Sequence, residues 1–145
     1  MKTIKMRSDC PVSYTLDILG DKWTLLILRD LVFNEKSSYG EFLESEEKIA
    51  TNILADRLSL LESNGFIIKT VSPHNKSKFI YTATEKTADI IPLLMEMVIW
   101  ASKYNPAVAP KKLLSELAKN KAKTTKFFYQ KIMGKFEALS SQTIV

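Results

Sequence analysis

Hydrophobic residues recur at helical spacing over most of the chain, and only two short runs read as strands. VSYTLDILG (12–20) predicts a short helix, with Pro11 suited to its first turn and Gly20 to its stop. Asp21 can cap the next helix, KWTLLILRDLVF (22–33), which is apolar on nearly all sides and so is expected to be the most buried element. NEKSS (34–38) is a polar break. Ser38 can cap a short helix through Tyr39, Phe42 and Leu43, and SEEKIA (45–50) reads as a tight connection with neither period.

TNILADRLSLLES (51–63) is the most informative segment. At about 100° per residue, Leu54, Leu58 and Leu61 fall within a sector of roughly 60°, flanked by Ile53 and Leu60. Asn52, Ala55, Asp56, Ser59 and Ser63 cluster opposite. Arg57 lies between the two apolar groups, where its stem can pack and its head can reach a carboxylate or a phosphate. Gly65 fits the left-handed position just past the helix end. The runs 66–71 and 79–84 are β-prone, and the polar SPHNKSK between them makes a hairpin whose long tip carries Lys76 and Lys78.

Thr84 is placed to cap one long helix over about 85–104. Its apolar residues run almost all the way round, leaving only Pro92, Glu96 and Lys103 as a polar stripe. So wide a face exceeds what a small domain buries against itself. Either the C-terminal segment covers it, or the same helix of a second copy does, through Leu94, Met97, Val98, Trp100, Ala101 and Tyr104. Beyond Pro106 and Pro110, residues 111–119 and 124–139 read as further helices.

A short helix, a tight turn and a leucine-backed second helix describe a helix-turn-helix, and the hairpin that follows makes it a winged one. The fold class expected is mainly α with a small β-hairpin wing, dimerising through terminal helices. Three parts are expected: an arm over 1–9, a winged helix-turn-helix domain over 10–108 and a basic helical extension over 109–145. The polar side of Thr51–Ser63 can enter a major groove, where small side chains permit close approach. On this reading Ser38 and Tyr39 contact phosphate. Thr51, Asn52, Ala55, Asp56 and Ser59 lie in the groove, Arg57 is available to the backbone, and Lys76 and Lys78 neutralise phosphates beside it.

Charge complicates that reading. The formal net charge is +5, which suits an acidic partner such as nucleic acid. Residues 106–145 hold eight lysines against Glu116 and Glu137, so residues 1–105 carry a slight negative excess. The face of 51–63 has no lysine, and Asp56 repels phosphate, although aspartate can accept from cytosine N4. A protein-interaction adaptor built on the winged fold is the rival from another class. Hydrophobic residues make up 46% of the chain, which excludes a disordered protein. No apolar run is long enough for a membrane span, no signal-peptide pattern opens the chain, and one cysteine rules out an intrachain disulfide. A cytoplasmic setting follows.

CPVSYTLDILGDKWTLLILRDL (10–31) resembles the opening of HxlR-type (DUF24) winged-helix transcriptional regulators, with Cys10, Pro11, Gly20, Lys22 and Trp23 at the matching positions. The resemblance continues through Leu54, Arg57, Leu58, Leu61, Glu62 and Gly65 to Tyr81, Thr84, Glu85, Pro92 and Trp100. It implies a homodimeric regulator of double-stranded DNA, acting as repressor or activator on a palindromic operator, with its recognition helix at Thr51–Ser63 and its wing at 71–79. It also implies, for some members, sensing of oxidants or electrophiles through the cysteine that matches Cys10. Departures are Glu47-Lys48-Ile49-Ala50 in place of the usual Pro-Gly-Ile-Ser, a wing without a Pro-Pro pair, and Thr87 near a usual glycine. Alanine cannot cap as serine does, at a cost of about 1 kcal/mol.

Cys10 is the one chemical candidate, since aligned N–H groups at a helix start favour a thiolate and Lys5 and Arg7 are near in sequence. The plainer alternative is an inert apolar residue in a regulator that answers to a small-molecule effector, held between dimer helices near Met95, Met97 and Tyr104. With one histidine, His74, and one cysteine, no metal centre of soft ligands is expected. No cofactor loop, carboxylate pair or nucleophile triad points to an enzyme.

Overall fold

A computed structural model of the chain describes residues 4–142. It contains two compact units, one ending at Thr82 and the other beginning at Ala83. The first carries helices α1 (Pro11–Leu19), α2 (Thr24–Phe33), α3 (Tyr39–Leu43) and α4 (Thr51–Ser63), then strands β1 (Ile67–Val71) and β2 (Phe79–Ala83), whose last residue crosses into the second unit. The order is the one the hydrophobic pattern predicts, and the mainly helical winged helix-turn-helix class holds.

Local chemistry sets the ends of these elements. The Asp21 carboxylate accepts the N–H groups of Trp23 and Thr24, each at 2.9 Å, so α2 starts two residues later than its apolar run. Gly20 ends α1 in a right-handed conformation. Its lack of a side chain is needed for space, because a Cβ there would lie 2.3 Å from the Leu16 carbonyl oxygen. Gly65, at φ 78°, gives α4 a Schellman ending: Phe66 N–H reaches the Leu61 carbonyl at 2.9 Å and Gly65 N–H that of Glu62 at 3.1 Å. Phe66 and Ile67 are thereby turned inward as the chain enters β1.

The core of this unit joins Leu28, Leu31 and Val32 of α2, Phe42 of α3, and Leu54, Leu58 and Leu61 of α4. Phe42 meets Tyr81 of β2 edge to face, with centroids 6.2 Å apart. Burying each leucine contributes about 2 kcal/mol, so α4 is held chiefly by its apolar face. The two-stranded sheet is the wing. The Tyr81 N–H also donates to the Ser37 carbonyl at 2.7 Å, which fixes β2 to the segment before α3.

The second unit carries α5 (Glu85–Ala88), α6 (Ile91–Tyr104), a 3-10 turn (Pro106–Val108), α7 (Lys111–Lys119) and α8 (Lys121–Gln142). The single helix expected over 85–104 is corrected here: it is two. Pro92 has no N–H to give, and its ring conflicts with the carbonyl four residues back, at Ala88, which is where α5 stops. Thr84 stands at the start of α5 without making the expected side-chain cap. Helix α8 begins three residues before the expected position, because Asn120 Oδ1 accepts the Lys123 N–H at 3.0 Å.

Among the described residues, two that are not glycine adopt left-handed backbone conformations, Glu35 at φ 52° and Lys48 at φ 55°. Lys48 occupies the position where the resembling family usually has glycine. Such a conformation costs a side-chain-bearing residue of order 1 kcal/mol, partly offset when glycine frees the unfolded chain. Lys48→Gly should therefore stabilise the protein by roughly 0.5 kcal/mol, while Gly65→Ala, at a site with open space but positive φ, should cost about 1 kcal/mol. Urea denaturation of the two variants checks both signs.

Candidate nucleic-acid interface

Helix α4 divides as its sequence predicts. Leu54, Leu58 and Leu61 are buried, while Thr51, Asn52, Ala55 and Ser59 face solvent and Asp56 is half-buried. The exposed group is short-chained and nearly neutral, so a duplex edge could come close to the helix backbone.

A polar network centred on Asp30 of α2 sets the direction of α4. Asp30 is 2% exposed. Its carboxylate accepts from Asn34 Nδ2 at 2.8 Å, from Arg29 Nε at 3.1 Å and from the Ser45 hydroxyl, with Lys36 Nζ at 3.6 Å. Lys36 Nζ also donates to Ser45 Oγ at 2.9 Å. Arg29 then reaches across the turn and donates to both oxygens of Glu47, at 2.8 and 2.9 Å. That paired hydrogen bond is the main reason the Glu47 carboxyl drops to about 2, and it likewise raises Arg29. The α3–α4 connection, which has no periodic pattern, is thus held by charge and hydrogen bonds.

The expected Ser38 contact is corrected, and of the two partners open to Arg57 the structure has the carboxylate. Ser38 is 2% exposed, and its hydroxyl is used in a reciprocal cap with Glu41, accepting the Glu41 N–H while the Glu41 carboxylate accepts the Ser38 N–H. The capping expectation is met, and for that reason the side chain is withdrawn from any phosphate. Arg57 is committed to carboxylates: Nε donates to Asp21 at 3.0 Å and a terminal nitrogen to Asp56 at 2.6 Å. Burial pushes Asp21 up, but the Thr24 hydroxyl, the Trp23 and Thr24 N–H groups and Arg57 outweigh it and hold the group low. Arg57 therefore braces α4 against the start of α2 and partly neutralises Asp56. Tyr39 keeps its place beside α4, but its hydroxyl donates to the Thr51 carbonyl at 2.9 Å.

Lys76 and Lys78 are exposed at the hairpin tip, where Asn75 Oδ1 orders the turn by accepting from Ser77 N and Oγ. Lys69 lies 4.1 Å over the Phe79 ring and stiffens the base of the hairpin. His74 is exposed beside it, and no cluster of potential metal ligands occurs among the described residues. Lys48, exposed just before α4, is a cation beside the candidate interface that sequence reasoning treated only as part of a departure from a motif. Its charge and its place between turn and helix were the available signals.

In the second unit, α6 buries Ile91, Leu94 and Met95 and exposes Leu93, Met97, Trp100 and Tyr104 at spacings of four, three and four. Leu94, expected at a dimer interface, is instead part of the protomer's own core. Val98 and Ala101 are half-buried beside the exposed stripe, and the Trp100 and Tyr104 rings are in contact, tilted at 48° with centroids 5.4 Å apart. Met95 is fully buried, so the effector pocket expected near Met95, Met97 and Tyr104 lacks one of its walls. Cys10 is exposed at the start of α1, with Pro11 in the first turn, and Arg7 is paired with Asp17. No helix among the described residues is long and apolar enough to cross a membrane.

The family profile described as HxlR-like helix-turn-helix matches residues 18–109. YdeP of Bacillus subtilis, described as an uncharacterized HTH-type transcriptional regulator, is 33% identical over 68% of this chain and 77% of its own. The crystal structure of PA1607, a putative transcription factor, is similar with a TM-score of 0.62 at 36% identity, over 72% of this chain and 70% of that one. The quinone-bound structure of YodB from B. subtilis is similar with a TM-score of 0.54 at 30% identity, over 65% of this chain and 98% of that one.

The Glu47–Arg29 pair carries an acid signature. Because the folded-state value is depressed from 4.5 to about 2, its contribution is complete above about pH 4.5 and lost as pH falls through about 2. Glu47 is partly exposed, so Glu47→Gln should cost no more than about 1 kcal/mol at neutral pH. Urea midpoints of variant and wild type should converge as pH is lowered from 5 toward 2.

Proposed function

The chain belongs to the HxlR-like helix-turn-helix family, and from that premise we propose that it is a transcriptional regulator that binds a specific double-stranded DNA sequence as a homodimer. The observation that carries the proposal is α4: three buried leucines hold it rigidly, and its outward side offers Thr51, Asn52, Ala55 and Ser59 with nothing bulky between them. Rigid backing and short polar side chains are what reading base edges requires. The wing supplies Lys76 and Lys78 for phosphates, and Lys48 and Tyr39 flank the start of the helix.

The exposed stripe of α6 supports pairing of two copies. Leu93, Met97, Trp100 and Tyr104 form an apolar row that a lone protomer leaves in water, and a twofold partner would cover it with its own. In such a pair the recognition helices would stand about 34 Å apart, one turn of a palindromic operator.

Cys10 gives this reading a chemical input. Its thiol is exposed, and YodB, to which the chain is similar, is a regulator with a quinone-bound form. A quinone would react by addition: the sulfur bonds to a ring carbon, the thiol proton passes to the ring system, and the ring becomes the hydroquinone. Such an adduct at the start of α1 would perturb the dimer and release DNA. The adaptor reading draws on the neutralised Arg57 and the lysine-free face of α4, and titration with duplex DNA separates it: an adaptor retains no duplex at any salt concentration.

Binding to the duplex upstream of its own gene should show two kinds of loss. Lys76→Ala should weaken operator and random DNA alike and flatten the salt slope by about one per protomer. Asn52→Ala should remove roughly 1–3 kcal/mol of discrimination at one base pair and leave random DNA unaffected. Added benzoquinone should release wild type and leave Cys10→Ser bound; release of both would exclude Cys10 as the sensor. Independently, Trp100→Glu should convert a dimer to a monomer in sedimentation equilibrium and weaken operator binding at least tenfold.

A further inference from the structure

The positive charge of this protein sits where no helix-turn-helix contact is expected. The eight lysines of residues 106–145 face only Glu116 and Glu137, whereas the rest of the chain has a slight negative excess. The family match ends at residue 109, so these lysines belong to a segment the match does not cover.

The helical geometry sorts them. In α7, at about 100° per residue, Lys111, Lys119 and Lys112 fall within roughly 100° of one another. They lie opposite Leu113, Leu114 and Leu117, the last of which is buried. In α8, Lys123 and Lys126 flank Gln130 on the side opposite Ile132, which is also buried. All five of these lysines are exposed, and among the described residues none of the five forms an ion pair. Lys121, by contrast, turns toward α6 and pairs with Glu96. The inward sides pack, and unpaired cations are collected on the outward sides.

We propose that the outward lysine faces of α7 and α8 are a second DNA-contact surface, sequence-independent and directed at backbone phosphates. The inference rests on the DNA-binding reading above and adds to it the source of most of the electrostatic affinity. Lysine suits the task, as a mobile point charge that neutralises a phosphate without demanding the fixed geometry of a base contact. The recognition helix lacks such groups: α4 has no lysine, and its one arginine is bound to Asp21 and Asp56. Five phosphates neutralised by the extension would each release counterion, and the resulting affinity would be the same on every sequence.

The test uses the full chain with Lys111, Lys112, Lys119, Lys123 and Lys126 all changed to Gln. Affinity for the operator duplex and for a random duplex is measured from low to high salt, with thermal unfolding checking that the variant stays folded. The expected result is a salt slope shallower by about 2–4.5 per protomer, twice that for the bound dimer, since each lost phosphate contact removes about 0.9. Binding at the lowest salt should fall at least tenfold on both duplexes, with their ratio unchanged. A folded variant with the wild-type slope overturns the proposal and leaves α7 and α8 as a solubilising face. Wild type that binds no duplex at all would sink the DNA-binding reading itself, a different and earlier failure. A second measurement does not depend on the variant: p-benzoylphenylalanine in place of the exposed Gln130 should crosslink to bound DNA on irradiation. A crosslink only to protein, or none, overturns the proposal.

Discussion

A single buried carboxylate governs how this protein presents its recognition helix. Asp30 of α2 sits in the interior of the first unit and gathers Arg29, Asn34, Lys36 and Ser45 around its two oxygens. An isolated charge in that position would be costly, so the surrounding groups are obliged to hold their places. Those groups come from the end of α2, the segment leading into α3 and the turn leaving it. The apolar face of α4 fixes which side of the helix is turned inward. The network adds to this, because Arg29 is also fastened to Glu47, four residues before α4 begins.

The same arrangement accounts for a departure at the start of α4. With alanine at the capping position, the helix has no side-chain acceptor for its first N–H groups. Neighbouring interactions supply order by other means. Glu47 is clamped by Arg29, Lys48 accepts a left-handed backbone, and Tyr39 holds the Thr51 carbonyl. Arg57 ties the middle of the helix to Asp21, which at the same time accepts the Trp23 and Thr24 N–H groups where α2 starts. One carboxylate thus ends a turn, starts a helix and anchors another. Changing it would disturb three features together, so the cost cannot be apportioned to a single contact.

How much of this could be read from the residues alone depends on the range of the deciding interaction. Helix α4 runs over the residues its pattern predicts because its period, its leucine sector and Gly65 are all local. The break between α5 and α6 was missed because Pro92 acts on the carbonyl of Ala88, four residues upstream, where the apolar pattern is uninterrupted. Arg57 was ambiguous for the opposite reason: both of its uses, carboxylate or phosphate, satisfy the local sequence. The choice is made by Asp21, 36 residues away. Leu94 and Met97 look equivalent on a wheel so apolar, and only the tertiary packing assigns one inward and the other outward. The left-handed Lys48 has no local signature, since lysine rarely adopts that conformation without compensation from its surroundings.

On the proposed reading, recognition and attraction are carried by different parts of the chain, and this separation follows from the demands on each. A helix that must approach base edges closely is better served by short neutral side chains than by long cations, which would hold it away from the groove floor. The same helix must be rigid, and Arg57 serves rigidity by bonding two carboxylates at the expense of its own charge. Positive charge then has to be placed where fit is unimportant, on mobile lysines at a hairpin tip and along outward helix faces. A segment outside the shared family domain is well suited to this, because its charge can change without altering the packing of Asp30, Glu47 and the leucines that aim α4. Discrimination among sequences and overall affinity become two properties with separate structural origins, each free to vary while the other is kept.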